Sequence, residues 1–142
     1  MATETGLLKK WPAAGPKQVW INKDAGLGYS GYAIVGGTLY TMGARDAAEY
    51  VIAIDAVTGK EKWSTEIGAL LTNGWGDGPR ATPTVDGDKV YQLSRWGDLF
   101  CFEAATGKVL WEKNLQKETG ANVPEWGYAG APLVQGKLLI LN

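Results

Sequence analysis

The sequence predicts an all-β fold, a β-propeller of four-stranded antiparallel blades, and three observations carry that expectation. A long pattern occurs twice, VIAIDAVTGKEKW at Val51–Trp63 and LFCFEAATGKVLW at Leu99–Trp111, at a constant offset of 48. A second pattern, a short strand, a Gly-centred turn and another short strand, recurs between the copies. The chain is also rich in turn and anchor residues, with 20 Gly and 7 Trp in 142 residues. A period in the high forties holding four strands is that of a propeller blade; a helical repeat of that length needs apolar spacing near 3.6, which these segments lack.

Taken in order, residues 1–28 form an N-terminal segment that carries the last strand of a preceding blade, near 17–22. There Lys17 and Trp20 keep the Lys-x-x-Trp spacing after Gly15-Pro16. The first full blade spans 29–68, with strands expected near 29–35, 38–43, 49–56 and 61–67. The second spans 69–116, with strands near 81–86, 89–94, 98–104 and 109–115. Residues 117–142 supply the first two strands of a third, truncated blade, near 127–134 and 137–141. The hairpin copies fix this alignment: Pro83–Tyr91 matches Pro132–Ile140 at offset 49 and Tyr32–Tyr40 at offset 51. The result is an incomplete propeller of about 2.75 blades. Its neighbours are expected to be the remaining blades of the same propeller or a partner chain that completes it, because terminal blades expose apolar faces and edges.

The repeat motif has a physical reading. Thr58-Gly59-Lys60 and Thr106-Gly107-Lys108 lie where the third strand of a blade turns into the fourth. Gly supplies positive φ there, and Asp55 or Glu103 caps nearby amides. Trp63 and Trp111, with Trp20 as the earlier copy, then fall on the outermost strand. A buried Trp removes roughly 200 Å² from water, so such a ring of indoles ties neighbouring blades together. On this reading Trp111→Ala costs about 3–5 kcal/mol.

Composition excludes several function classes. With 14 Lys plus Arg against 15 Asp plus Glu, the net charge of −1 does not direct the chain to nucleic acid or an anionic membrane. No stretch approaches the roughly 18 apolar residues of a membrane helix, and Met1 is followed by a polar segment with no visible signal peptide. The absence of His removes the commonest general base and metal ligand. Cys101 stands alone between Phe100 and Phe102 and reads as an inert packed thiol. Asp86-Gly87-Asp88 reads as a hairpin tip rather than a calcium loop, so no metal site is expected. The glycines of Asn73–Gly78 lack dinucleotide-binding spacing.

The segment Ala53-Ile54-Asp55-Ala56 through Thr58-Gly59-Lys60 to Trp63, with its copy at Phe102–Trp111, resembles the repeat of the pyrroloquinoline-quinone (PQQ) propeller superfamily. That superfamily holds both quinoprotein alcohol dehydrogenases and a non-enzymatic propeller lipoprotein of outer-membrane protein assembly. The opening Glu4–Lys9 through Trp11-Pro12 to Gly15-Pro16 is similar to bacterial secreted propellers. The resemblance implies a periplasmic or secreted location, and it specifies fold far better than chemistry.

It also implies that the loops between blades, and those between second and third strands, share one face. That face receives Asp24–Gly28, Gly43–Ala48, Ala69–Arg80, Ser94–Asp98 and Lys117–Gly127. Among these and at their edges, Asn73, Trp75, Asp77, Arg80, Arg95, Trp96, Trp126 and Tyr128 are the candidates for binding a protein or small-molecule ligand. The competing reading of each is packing within the loops. Small residues recur where inner strands begin, Ser30-Gly31, Ala81-Thr82 and Gly130-Ala131, as crowding near the axis requires. The expected function is a non-catalytic binding or scaffold module of the bacterial envelope. The alternative is part of a PQQ-dependent alcohol dehydrogenase using PQQ and Ca²⁺, and a further alternative is a carbohydrate- or peptide-binding propeller. Dehydrogenases of this kind hold the quinone between a Trp and an adjacent Cys pair, and this chain has no such pair.

Overall fold

The computed structural model describes residues 5–142, so the first four residues of the N-terminal segment lie outside the described residues. The first sheet has the order β1 (Ala33–Val35), β2 (Thr38–Arg45), β3 (Ala48–Asp55), β4 (Glu61–Ala69). The second repeats it with β5 (Thr84–Asp86), β6 (Lys89–Leu93), β7 (Asp98–Glu103) and β8 (Val109–Asn114). A third begins with β9 (Leu133–Gln135) and β10 (Leu138–Ile140). Every pairing is antiparallel, and the inner strands β1, β5 and β9 lie side by side. This is the expected incomplete propeller of four-stranded blades.

Blade stacking explains the burial pattern. The register sets Tyr40 opposite Ala53 and Ala53 opposite Trp63, so these side chains share a face. That face packs on Val90, Phe100 and Phe102 of the second blade, and together they form the core. Ile52, on the other face of the first blade, is equally buried. The middle strands β3 and β7 are therefore apolar along most of their length, as in any strand covered on both sides. Cys101, fully buried opposite Tyr91, has its thiol pKa raised by burial, as expected of an inert packed residue.

The Trp motif joins the blades through three contacts. The Trp63 indole lies on Gly107, where any Cβ would overlap the ring, and its Nε1–H donates to Ala104 O at 3.0 Å. Two residues on, Thr65 donates to Gly107 O at 2.7 Å. Trp20 repeats the arrangement on Gly59, with Nε1–H donating to Ala56 O and Asn22 donating to Gly59 O, both at 3.0 Å. Gly59 and Gly107 share a φ of 73°, which glycine adopts without strain. Asp55 holds the first corner by accepting from Val57 N, Thr58 N and the Thr58 hydroxyl. These bonds hold its carboxyl below the ordinary aspartate range. At the second corner the Thr106 hydroxyl donates to Glu103.

Four expectations require correction. The strand expected near 17–22 pairs with no other strand among the described residues; Trp20 and Asn22 dock there without a ladder. The inner strands are shorter than the apolar pattern suggests, beginning at Ala33, Thr84 and Leu133. The residues before them bond across blades instead: Tyr29 N donates to Pro79 O at 2.8 Å, and the Ser30 hydroxyl to Ala81 O. The β8 strand stops at Asn114, whose side chain caps a short helix, α1 (Leu115–Thr119), by accepting from Lys117 N. Finally, Trp111 is 37% exposed, packs on Tyr91, and has no glycine corner among the described residues. Among the described residues, the contacts behind a cost of about 3–5 kcal/mol are made by Trp63.

Candidate functional site

Two loops between blades build the site. In the first, Ala69–Arg80, Asn73 and Asp77 fold a compact turn: Asn73 N donates to Asp77 Oδ1, and Trp75 N donates to Asn73 Oδ1, both at 3.0 Å. This turn holds Trp75 outward, 76% exposed. Gly76 and Gly78 stay bare because a Cβ at either would strike the Tyr29 ring or the backbone at Leu27–Gly28. The second loop carries Trp126, which is 47% exposed and meets Trp75 edge-to-face with centroids 5.7 Å apart.

Arg80 completes this cluster. Its guanidinium lies over the Tyr29 ring, 5.4 Å from the centroid, and donates to Gly76 O at 3.0 Å. Tyr29, Trp75, Arg80 and Trp126 line an open cleft of about 480 Å³. The arrangement offers three aromatic surfaces and one fixed cation, which suits a planar or apolar group carrying a hydrogen-bond acceptor.

Beneath the cleft sits Arg95, 2% exposed. Its Nη1 donates to Leu71 O at 2.8 Å and Gly78 O at 3.1 Å, and lies 3.8 Å from Glu49 Oε1. Nε and Nη2 are buried with no hydrogen-bond partner among the described residues. Burial raises the pKa of Glu49, against the opposing pull of Arg95. Trp96 fastens the first loop by donating from Nε1 to Ala69 O at 3.1 Å. Tyr128 donates its backbone N–H to Arg95 O, lies against Gly97 and donates from its hydroxyl to Asn122 O.

Of the eight candidates, the structure therefore brings Trp75, Arg80 and Trp126 together at the cleft. Asn73 and Asp77 shape its turn, while Arg95, Trp96 and Tyr128 lie inside the supporting loops. Sequence reasoning missed two residues. Tyr29 stands four residues before its inner strand, as Arg80 does before the next, and that positional equivalence at offset 51 was a usable signal. Glu49 is an acid in the otherwise apolar run Ala48–Ile54, a feature that marks a buried ion pair. Among the described residues no group of three or more His, Cys, Asp or Glu is placed to hold a metal.

Comparison with known proteins agrees with this architecture. The chain is 35% identical over 96 residues to the quinohemoprotein alcohol dehydrogenase ADH IIB of Pseudomonas putida, a match covering 65% of the chain and 13% of that protein. It thus spans about an eighth of that relative's length. A europium-containing methanol dehydrogenase superposes with a TM-score of 0.63 at 22% identity, covering 87% of this chain and 22% of that one. BamB from Moraxella catarrhalis superposes with a TM-score of 0.50 at 22% identity, covering 66% and 26%. At these identities the structures establish the fold alone. A family model described as outer membrane protein assembly factor BamB matches residues 47–142, and the chain belongs to that PQQ-repeat propeller family.

Proposed function

We propose that the chain is a non-catalytic binding module of a larger propeller of the bacterial envelope, periplasmic or secreted, whose cleft between Trp75 and Trp126 takes a protein or small-molecule partner. One observation carries the reading: two indoles from different interblade loops meet edge-to-face, yet remain 76% and 47% exposed. Large aromatics held in place without being buried offer contact area at low entropic cost to a partner. The further blades of the ring complete the module, in the same polypeptide or in a partner chain.

The 35% identity to a quinohemoprotein alcohol dehydrogenase favours a second reading, a segment of a PQQ- and Ca²⁺-dependent dehydrogenase. The donors of this segment do not fit that cofactor pair by themselves. Its one thiol, Cys101, is fully buried within the second blade. Two acids of the site are engaged, Asp77 by Asn73 N and Glu49 by Arg95. The dehydrogenase reading therefore needs donors from other blades. Equilibrium dialysis of the full-length protein with PQQ and Ca²⁺, followed by dye-linked alcohol oxidation, separates the two. The binding-module reading expects no stoichiometric PQQ and no dye reduction; tight stoichiometric binding with turnover overturns it.

A further inference from the structure

We infer that Arg95 is the positioning residue of the aromatic cleft, joining two loops from different blade junctions so that Trp75 and Trp126 meet. Its Nη1 donates to Leu71 O and Gly78 O, which flank the turn that presents Trp75. One guanidinium nitrogen thus closes the base of that loop from both sides. The same residue holds the second loop through its main chain, since Tyr128 N donates to Arg95 O at 3.0 Å. Its side chain also lies against Gly127, where a Cβ would sit 2.9 Å from Arg95 Cβ and 3.2 Å from Nε. Gly127 adjoins Trp126, so both indoles are set from a single buried residue.

The energetics point to positioning rather than to stability. Arg95 leaves Nε and Nη2 buried without partners among the described residues, and its ion pair with Glu49 is long, at 3.8 Å. A buried pair of that kind contributes little compared with packed apolar side chains of similar size. What apolar side chains cannot supply is simultaneous donation to two carbonyls on opposite sides of a loop.

Two indoles in edge-to-face contact give an exciton couplet in far-ultraviolet circular dichroism. In the full-length protein, the couplet is the part of the spectrum lost in both Trp75→Phe and Trp126→Phe. It reports the geometry of the cleft without any ligand, so its outcome is independent of whether the cleft binds a partner. Two variants test the inference. Glu49→Leu with Arg95→Met removes both charges together and strands neither, and Glu49→Gln with Arg95→Leu likewise leaves no donor for the carbonyls of Leu71 and Gly78. Both are expected to retain a cooperative melt and the β spectrum of the blades while losing the couplet. Folded protein that keeps the couplet in either variant overturns the inference. Failure of both variants to fold also overturns it, by showing that Arg95 serves the fold itself.

Discussion

A single methyl group at Gly107 tests whether the indole contacts between blades hold the propeller together. Gly107 has φ +73° and carries the Trp63 ring, so Gly107→Ala introduces backbone strain and steric overlap together. Gly87, at the tip of the β5–β6 hairpin, has φ +57° and open space around the position of a Cβ. Gly87→Ala therefore carries the strain alone, about 1–2 kcal/mol. Gly107→Ala adds an overpacking cost of about 1–3 kcal/mol, because the indole cannot retreat without losing its bond to Ala104 O. Trp63→Ala should cost about 3–5 kcal/mol by opening a cavity between Tyr40 and Phe102, which flank the ring at 6.0 and 6.3 Å. In the Trp63→Ala background the overlap with the ring is gone and only the contact with Thr65 Oγ1, at 2.8 Å, remains, so Gly107→Ala should cost less than it does in the wild type. Urea denaturation followed by circular dichroism gives the double-mutant cycle, with a coupling of about 1–3 kcal/mol. Equal costs for the two glycine variants in the wild-type background, with zero coupling, would refute the argument.

Trp111→Ala should cost clearly less than Trp63→Ala in this chain, since Trp111 is 37% exposed, and the same urea midpoints measure it. Asp55 has a pKa lowered chiefly by the Thr58 amide and hydroxyl, so its contribution is present above the ordinary aspartate range and lost as pH falls through the depressed value. Asp55→Asn should flatten that acid limb in a series of urea midpoints against pH, and an unchanged limb would show that the corner does not depend on the carboxylate. Trp75→Ala and Trp126→Ala should each shift stability by only about 0.5 kcal/mol, because the indoles remain 76% and 47% exposed. A large loss in thermal melts of these variants would assign the pair to the core instead of to a partner.

The parts of this molecule legible in the sequence are those that repeat. Thr58-Gly59-Lys60-x-x-Trp63 and Thr106-Gly107-Lys108-x-x-Trp111 identify the blade because every copy must satisfy the same corner geometry. The segment at 17–22 was misread for the same reason. The motif reports the docking of Trp20, which needs only Ala56 O and the bare face of Gly59, and says nothing of a strand beside it. The inner strands were drawn too long because a run of small and apolar residues does not distinguish a ladder from bonds across blades, such as Tyr29 N to Pro79 O. At the site, residue types pointed to Trp75, Arg80 and Trp126 on the loop face. Which of the eight would meet was set by loop conformation, and the burial of Arg95 depends on carbonyls at Leu71 and Gly78 that no side-chain pattern encodes.

The corner on which each indole rests is made from a main-chain carbonyl and a missing side chain. Such a joint does not ask what the neighbouring blade's loops are made of. A blade that ends in Trp fits before any blade that turns through Ala-x-Thr-Gly, whatever its loops carry. Exchanging a blade then needs an apolar face that matches its neighbour's, as Phe102 matches Trp63, while the loops are free to diverge. A lineage built on this joint can vary its loop face while keeping its frame.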